Sequence, residues 1–191
     1  GIEAEAAMLG KAISMLIPEV VGVITIIEDD FKVREKMIDQ LSRKNNFSFL
    51  DEEITENEFM SQISKHINDK HLNMSKSLEK NLCNIADKCS NQILLPAIIQ
   101  YFSFYNILSK KIKKLSPDDQ QMASLSSLML DPKRFWLLDR PLKNLTEEKI
   151  QLVINLIAGK SSDNGFVIIF QHSEDLLITR ERILLEEFRI N

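Results

Sequence analysis

The sequence predicts a mainly α protein, a single helical domain around a buried central helix at about residues 93–115. Helix start signals recur along the chain, and apolar residues follow them at steps of three and four. No internal repeat or long linker divides the 191 residues, a length that suits one domain. With 44% hydrophobic residues, the chain has enough apolar side chains to form a core. Two β-branched segments, 23–27 and 166–170, are expected to pair as a minor two-stranded element.

The first half of the chain is expected to form a helix, a strand and three further helices. Residues 1–16 favour a helix that Pro18 ends, and residues 20–27 favour a buried strand. Asp29 or Asp30 can cap the second helix. Apolar residues mark one face of this second helix at Val33, Met37, Ile38 and Leu41. The third helix is expected to begin at Thr55 and Glu58, which have capping-box spacing, and to place Phe59, Ile63 and Ile67 on one face. The fourth has its apolar face at Met74, Leu78, Leu82 and Ile85.

The central segment differs from the helices before it. Residues 93–108 are apolar on every side of the helical wheel, including the aromatic residues Tyr101, Phe102, Phe104 and Tyr105. A helix that is apolar all round is surrounded by other elements. We therefore expect this segment to be the most buried helix of the protein.

The second half of the chain repeats the start signals. Ser116 before Pro117 and two acidic residues predicts a helix start, and Asp131 with Pro132 predicts a short helix through Trp136. Thr146 is expected to cap a helix that Gly159 ends, with a strand at residues 166–170 after it. Ser173 is expected to cap a last helix that extends to about Phe188.

The first 22 residues resemble an internal stretch of the aconitase family, of the aconitate hydratase A and iron-regulatory type. Gly1-Ile2-Glu3-Ala4-Glu5-Ala6, followed by Met8-Leu9-Gly10, carries the resemblance. It implies a division into an aconitase-like helix at 1–22, packed on the rest, and a single mostly helical domain at 23–191. Aconitase chemistry requires a cluster held by three thiolates, whereas the chain has two cysteines, Cys83 and Cys89. The resemblance therefore implies a fusion or a decayed fragment without that activity.

Three motifs that resemble catalytic or metal sites have simpler interpretations. Gly159-Lys160-Ser161-Ser162 resembles the end of a phosphate-binding loop, but Ile154 stands where that loop needs its first glycine. The histidines His66 and His71 and the two cysteines lack the spacing of zinc ligands. The run His172-Ser173-Glu174-Asp175 holds the residue types of a hydrolytic triad, but adjacent residues do not converge as a triad does. No catalytic residue, metal or cofactor is predicted.

A cluster of basic residues is the remaining candidate site. Lys110, Lys111, Lys113 and Lys114 follow the aromatic segment, and Lys133 and Arg134 form a second basic patch. These residues could bind a phosphorylated partner or an anionic membrane surface. The alternative is that the lysines complement the negative end of a helix and keep it soluble.

The sequence therefore favours a non-catalytic, helical protein–protein interaction module of the bacterial effector type, with an unidentified protein as partner. The alternatives are a module that binds anions or acidic phospholipids through residues 110–114, and an enzyme with dispersed residues. The net charge of −4 argues against nucleic acid as the main partner. No signal peptide or membrane-spanning segment is recognised, so we expect the protein in the cytoplasm or delivered into a cytosol.

Overall fold

The fold is α/β and contains a five-stranded parallel sheet. The computed structural model describes residues 1–16, 22–42, 63–66, 72–131, 133, 135–162, 166–178 and 182–184. The strands are β1 (Val23–Ile27), β2 (Ile63–His66), β3 (Phe135–Asp139), β4 (Phe166–Gln171) and β5 (Arg182–Leu184). The helices are α1 (Ile2–Leu16), α2 (Phe31–Leu41), α3 (Leu78–Cys89), α4 (Leu95–Tyr101), α5 (Pro117–Leu130) and α6 (Glu147–Ser162), with 3-10 turns at Gln92–Leu94 and Ile112–Lys114.

The five strands form one sheet in the order β2-β3-β4-β1-β5, and all four pairs are parallel. The predicted pairing of 23–27 with 166–170 is confirmed, with Val23 opposite Val167 and Ile26 opposite Phe170. These two strands are nevertheless neighbours inside a five-stranded sheet, and the prediction of a mainly α domain is wrong. The reason lies in β2, β3 and β5, which occupy segments interpreted as helical.

Strand β3 shows how the helical interpretation failed. Every residue from Phe135 to Asp139 is buried. A strand covered on both faces has no polar alternation, so a short apolar run of this kind does not reveal its period. The predicted short helix through Trp136 is therefore a strand at Phe135 and Trp136.

The chain divides into two compact units. The first consists of Gly1–Ile67, Lys133–Arg140 and Ile154–Asn191, and the second of Asn68–Pro132 and Pro141–Val153. The predicted boundary after residue 22 stays a prediction. In the first unit, α1 and α2 pack on the sheet through a core formed by Ala6, Leu9, Ile24, Ile26, Met37, Ile38, Leu41, Phe135, Leu137, Ile168 and Phe170.

The second unit contains the segment predicted as the central helix, and that prediction is wrong. Helix α4 ends at Tyr101, and Ser103 takes a positive φ of 55°, which interrupts the helix. The apolar residues therefore divide between core and surface. Phe104 is 1% exposed, whereas Ile93 is 87% and Tyr105 64% exposed.

Several helix starts agree with the sequence signals. Asp30 caps α2, Ser116 precedes α5, and the Thr146 carbonyl accepts the Ile150 N–H in α6. Gly159 does not end α6, which continues to Ser162. Ser173 lies in a turn and does not cap a helix.

Two other predicted helices extend beyond the described residues. Ile63 belongs to strand β2, while Thr55, Glu58, Phe59 and Ile67 lie outside the described residues. Of the predicted last helix, residues 182–184 form β5, and residues 185–188 lie outside the described part of the chain.

Candidate functional site

The candidate site is the edge of the sheet at which the parallel strands end. In open parallel sheets, ligands bind beyond the carboxyl ends of the strands. Strands β3, β4 and β1 are neighbours, so the residues that follow them meet at this edge. Asp139 ends β3 and Arg140 follows it, Gln171 ends β4 and His172 follows it, and Glu28, Asp29 and Asp30 follow β1.

A buried ion pair lies at the centre of this edge. Arg34 Nε donates to Asp139 Oδ1 at 2.5 Å, and the two side chains are 4% and 2% exposed. Arg34 Nη1 also donates to the backbone carbonyls of Glu28 and Asp29, both at 3.0 Å. A buried guanidinium stays charged and requires such partners. Arg34 therefore ties helix α2 to the end of β3 and to the loop after β1.

The loop from β1 to α2 is short and acidic. It contains Glu28, Asp29 and Asp30, of which the last two are exposed. The Asp30 side chain accepts from the N–H groups of Lys32 at 2.9 Å and Val33 at 3.4 Å. These N–H groups at a helix N-terminus are an anion-binding position in many proteins. In this chain they are bound by the protein's own carboxylate.

A second ion pair lies beside the first. Arg140 donates to Asp175 through two parallel bonds, Nε to Oδ2 at 2.9 Å and Nη2 to Oδ1 at 2.8 Å. Burial alone would raise the pKa of Asp175, but hydrogen bonds from Arg140 and from the His172 N–H lower it below its ordinary value. The pKa of Arg140 is raised, chiefly by the same Asp175 hydrogen bonds. The Arg140 side chain is 25% exposed and that of Asp175 14%, so the pair is partly buried.

Asp29 connects the β1 loop with the turn after β4. Its carboxylate accepts from the Ser173 N–H at 2.7 Å and from the Ser173 hydroxyl at 3.0 Å. These backbone and side-chain hydrogen bonds lower the pKa of Asp29. His172 Nδ1 lies 3.5 Å from Asp29 Oδ1 and accepts the Glu174 N–H at 3.1 Å. The run 172–175 thus organises the edge of the sheet and has no triad geometry.

Gln171 completes the edge from β4. Its Nε2 donates to the Leu176 carbonyl at 2.7 Å, and its own backbone carbonyl accepts the Glu28 N–H at 2.9 Å. Its side-chain Oε1 is buried, and within the described residues no hydrogen-bond partner reaches that atom. Gln171 is fully buried, so the side chain fixes the turn after β4 and is not a surface contact.

The predicted basic cluster lies elsewhere, in the second unit. Lys110, Lys111, Lys113 and Lys114 are all exposed. Backbone bonds hold their segment, since Leu78 N donates to the Lys110 carbonyl and Ile112 N to the Lys76 carbonyl. Lys133 is half-buried in the first unit, and Arg134 lies outside the described residues. Anion binding by these six residues stays a prediction.

The other sequence motifs have structural roles or lie outside the described residues. Lys160, in the last turn of α6, places its Nζ 5.1 Å from the centroid of the Trp136 ring. Cys83 and Cys89 lie on α3, and burial raises the pKa of Cys83. His71 lies outside the described residues. Across the described parts of the chain, no group of three His, Cys, Asp or Glu residues is placed to hold a metal ion.

Sequence reasoning missed Arg34, Asp139 and Arg140. The available signal was the acidic residue that ends the apolar run at 135–138. Interpreted as a strand of a parallel sheet, this run would have placed Asp139 at the ligand-binding edge. Arg34 carried no comparable signal, because its place on α2 does not indicate which strand end it reaches.

Two curated relatives match part of the chain. The cytochrome c biogenesis ATP-binding export protein CcmA of Rickettsia bellii is 36% identical over 81 residues, 42% of this chain and 41% of that protein. The protein of the same name from Rickettsia typhi is 30% identical over 90 residues, 47% of this chain and 46% of the relative. The alignments thus span less than half the length of these relatives. No protein-family profile matches the chain.

Solved structures resemble the chain over most of its length. An ATP-binding protein assigned to an ABC transporter of Pyrococcus furiosus superposes with a TM-score of 0.67 at 17% identity, covering 87% of this chain and 86% of that one. A dimeric ATP-binding cassette in a post-hydrolysis state with ADP and Pi gives a TM-score of 0.64 at 11% identity, covering 85% and 78%. The chain therefore has the fold of ATP-binding cassettes.

These similarities correct four predictions. The chain is similar to ATP-binding export proteins over part of its length and has the fold of ATP-binding cassettes. The interpretation of residues 1–22 as an aconitase remnant is therefore wrong, as is that of an aconitate hydratase fragment. The prediction of a non-catalytic helical module is wrong, because it assumed a helical bundle and the chain has the α/β fold of ATP-binding proteins. The prediction that the chain has no enzymatic activity is wrong for the same reason.

Proposed function

We propose that this chain is an ATP-binding-cassette subunit of a membrane export assembly of the cytochrome c biogenesis type. The observation that carries the proposal is the agreement of two similarities. The curated relatives are ATP-binding export proteins, and the fold of the chain is that of ATP-binding cassettes. In this role the chain works beside membrane-embedded protein partners, at the cytoplasmic face of the membrane. None of the helices in the described residues is both long and apolar enough to cross a bilayer.

An apolar surface in the second unit supports the proposed partner. Ile93, Leu94, Tyr101 and Tyr105 are exposed by 87%, 37%, 41% and 64%. Leu94 and Tyr101 also line a shallow apolar pocket together with Ala97, Ile98, Phe102 and Met129. Exposed apolar side chains that line an apolar pocket, as Leu94 and Tyr101 do, are typical of protein interaction sites. We assign this surface to the membrane-embedded subunit.

The edge of the sheet differs from a standard nucleotide site. Phosphate-binding loops use glycine N–H groups and a lysine, in a loop of the pattern G-x-x-x-x-G-K-[ST] between a strand and a helix. The printed sequence contains no such pattern, and the β1–α2 connection has Glu28, Asp29 and Asp30 in its place. The negative carboxylates oppose phosphate, so any nucleotide binding is expected to be weak. Arg140 contributes a positive charge at this edge, where it is paired with Asp175 and its side chain is 25% exposed.

The proposal is tested by fluorescence anisotropy with a ribose-labelled ATP and competition by unlabelled ATP and ADP. Arg140→Gln should weaken binding because it removes a positive charge from this edge. Asp30→Ser should strengthen binding, since serine can still cap α2 while one negative charge is lost. Lys160→Gln, a charge change on α6, is the matched control and should leave binding unchanged. Phosphate release from the same samples tests whether hydrolysis follows.

Absence of competable binding by the wild-type protein and by Asp30→Ser at millimolar ATP would refute nucleotide binding. The partner surface has a separate test, co-purification of the chain with the membrane subunit co-expressed from the same export assembly. Ile93→Glu and Tyr105→Glu should abolish that co-purification, whereas Lys143→Glu, another exposed position, should not.

A further inference from the structure

The fold raises a question about magnesium. In related nucleotide-hydrolysing proteins, Mg²⁺ is held by a carboxylate of the protein, by a hydroxyl of the phosphate-binding loop and by the nucleotide phosphates. Asp139 ends the buried apolar strand β3, at the position in the sheet from which a carboxylate could take that role. Whether the edge can take Mg²⁺ therefore depends on what surrounds the Asp139 carboxylate.

The residues present do not fit a divalent cation. Arg34 Nε lies 2.5 Å from Asp139 Oδ1, and a cation bound to that oxygen would have to displace the guanidinium. The pair is almost completely buried, with side chains 4% and 2% exposed. Mg²⁺ keeps several water ligands and requires octahedral geometry. The buried Asp139 carboxylate, already paired with the Arg34 guanidinium, leaves no room for the ion and its waters.

The neighbouring groups hold Arg34 in this place. Its Nη1 is fixed by the carbonyls of Glu28 and Asp29, which belong to the loop after β1. Its guanidinium carbon lies 5.7 Å from the centroid of the Phe31 ring. The N-terminal N–H groups of α2 are bound by Asp30, so the anion position beside the pair also holds a group of the protein. Asp139 and the N-terminus of α2 are thus each bound by a group of the protein.

We infer that Arg34 replaces the divalent cation at Asp139, so that this edge of the chain does not take Mg²⁺ and any nucleotide it handles is bound without the metal. The inference rests on the proposed function, because the absence of Mg²⁺ bears on nucleotide binding only if the chain binds nucleotide. Its test uses the metal alone and so does not depend on ATP binding. The two proposals can therefore fail separately.

The experiment titrates Mn²⁺, a paramagnetic substitute for Mg²⁺, into the purified full chain and follows free Mn²⁺ by electron paramagnetic resonance. The wild-type protein should leave the free signal unchanged at millimolar Mn²⁺. Arg34→Met should bind about one Mn²⁺ per chain, because Asp139 then lacks its cation. Thermal unfolding gives the second readout. Arg34→Met should lower Tm by roughly 6–12 °C, and Mn²⁺ should restore much of that loss.

A double variant keeps the test interpretable if Arg34→Met folds poorly. Arg34→Met with Asp139→Asn removes both charges, so it should be more stable than the single variant. It should neither bind Mn²⁺ nor gain Tm from it. Stoichiometric Mn²⁺ binding by the wild-type protein would overturn the inference. Failure of a folded Arg34→Met variant to bind Mn²⁺ would also overturn it, because Arg34 would then not occupy the position of a cation.

Discussion

Arg34 and Asp139 are 105 positions apart in the chain, yet Arg34 Nε and Asp139 Oδ1 lie 2.5 Å apart at the carboxyl edge of the sheet. Helix α2 brings the guanidinium to the point at which β3 ends. Because both side chains are buried, neither charge can be compensated by water if the other is removed. Removing one member of the pair is therefore expected to destabilise this edge of the sheet.

Asp139→Asn should lower the free energy of unfolding by about 3–5 kcal/mol, because it leaves the Arg34 guanidinium buried without its counter-ion. Urea denaturation monitored by circular dichroism measures the change. Asp87→Asn removes an exposed carboxylate and is the matched control, expected within about 0.5 kcal/mol of wild type. Similar midpoints for the two variants would show that the pair contributes little.

The Arg140–Asp175 pair should show a smaller coupling than the buried pair. Its geometry is bidentate, but the side chains are 25% and 14% exposed and solvent screens them in part. A double-mutant cycle with Arg140→Gln and Asp175→Asn should give a coupling energy of about 1–2 kcal/mol. A coupling near zero would mean that the two charges act independently in solution.

Stability should decrease at low pH through Asp118. Hydrogen bonds from Lys149, then from the Ser116 hydroxyl, lower the pKa of Asp118 from 3.8 to about 2. The ionised carboxylate is favoured in the folded state, so its contribution is complete above the unfolded pKa of 3.8 and is lost as the pH falls through about 2.

Lys149→Gln should lower the free energy of unfolding by about 1 kcal/mol at neutral pH. The effect is small because the pair is partly solvated. The difference from wild type should shrink as the pH falls from 4 to 2, measured by urea denaturation at each pH. Lys143→Gln, at an exposed position, should follow the wild-type pH profile. A Lys149→Gln deficit that is constant with pH would contradict the ion pair.

Two adjacent aromatic residues should differ sharply in their effect on stability. Phe104 is 1% exposed and stacks on Phe102 with ring centroids 5.4 Å apart, whereas Tyr105 is 64% exposed. Phe104→Ala should cost about 3–5 kcal/mol through the cavity that it leaves. Tyr105→Ala should cost less than about 1 kcal/mol in thermal or urea unfolding. Equal losses would place Phe104 outside the core of its unit.

The basic cluster at Lys110, Lys111, Lys113 and Lys114 should bind anionic surfaces through charge alone. Lysine gives little bidentate geometry, so binding should tolerate different headgroups and fade as salt approaches physiological strength. Co-sedimentation with neutral and anionic vesicles measures this for wild type and for a variant with all four residues changed to Gln. Equal sedimentation of the two proteins would show that these lysines are solvated side chains that do not bind the vesicles.

The sequence determined the elements whose signals are local. Asp30 caps α2 because its side chain reaches N–H groups two and three residues ahead. The β-branched run at 23–27 and the apolar run at 166–170 revealed strands, and their pairing followed because strands need partners. These features depend on neighbours within a few residues, which the order of amino acids specifies directly.

Only the tertiary structure decided the fold class and the site. Strand β3 is buried on both faces, so its sequence has no alternation to distinguish it from a helix, and its identity follows from pairing with β2 and β4. The aromatic segment after Ile93 was divided between core and surface by the backbone turn at Ser103. Arg34 and Asp139 meet because parallel pairing sets the order of the strands, and contacts between distant strand ends are fixed by that order and not by any local pattern.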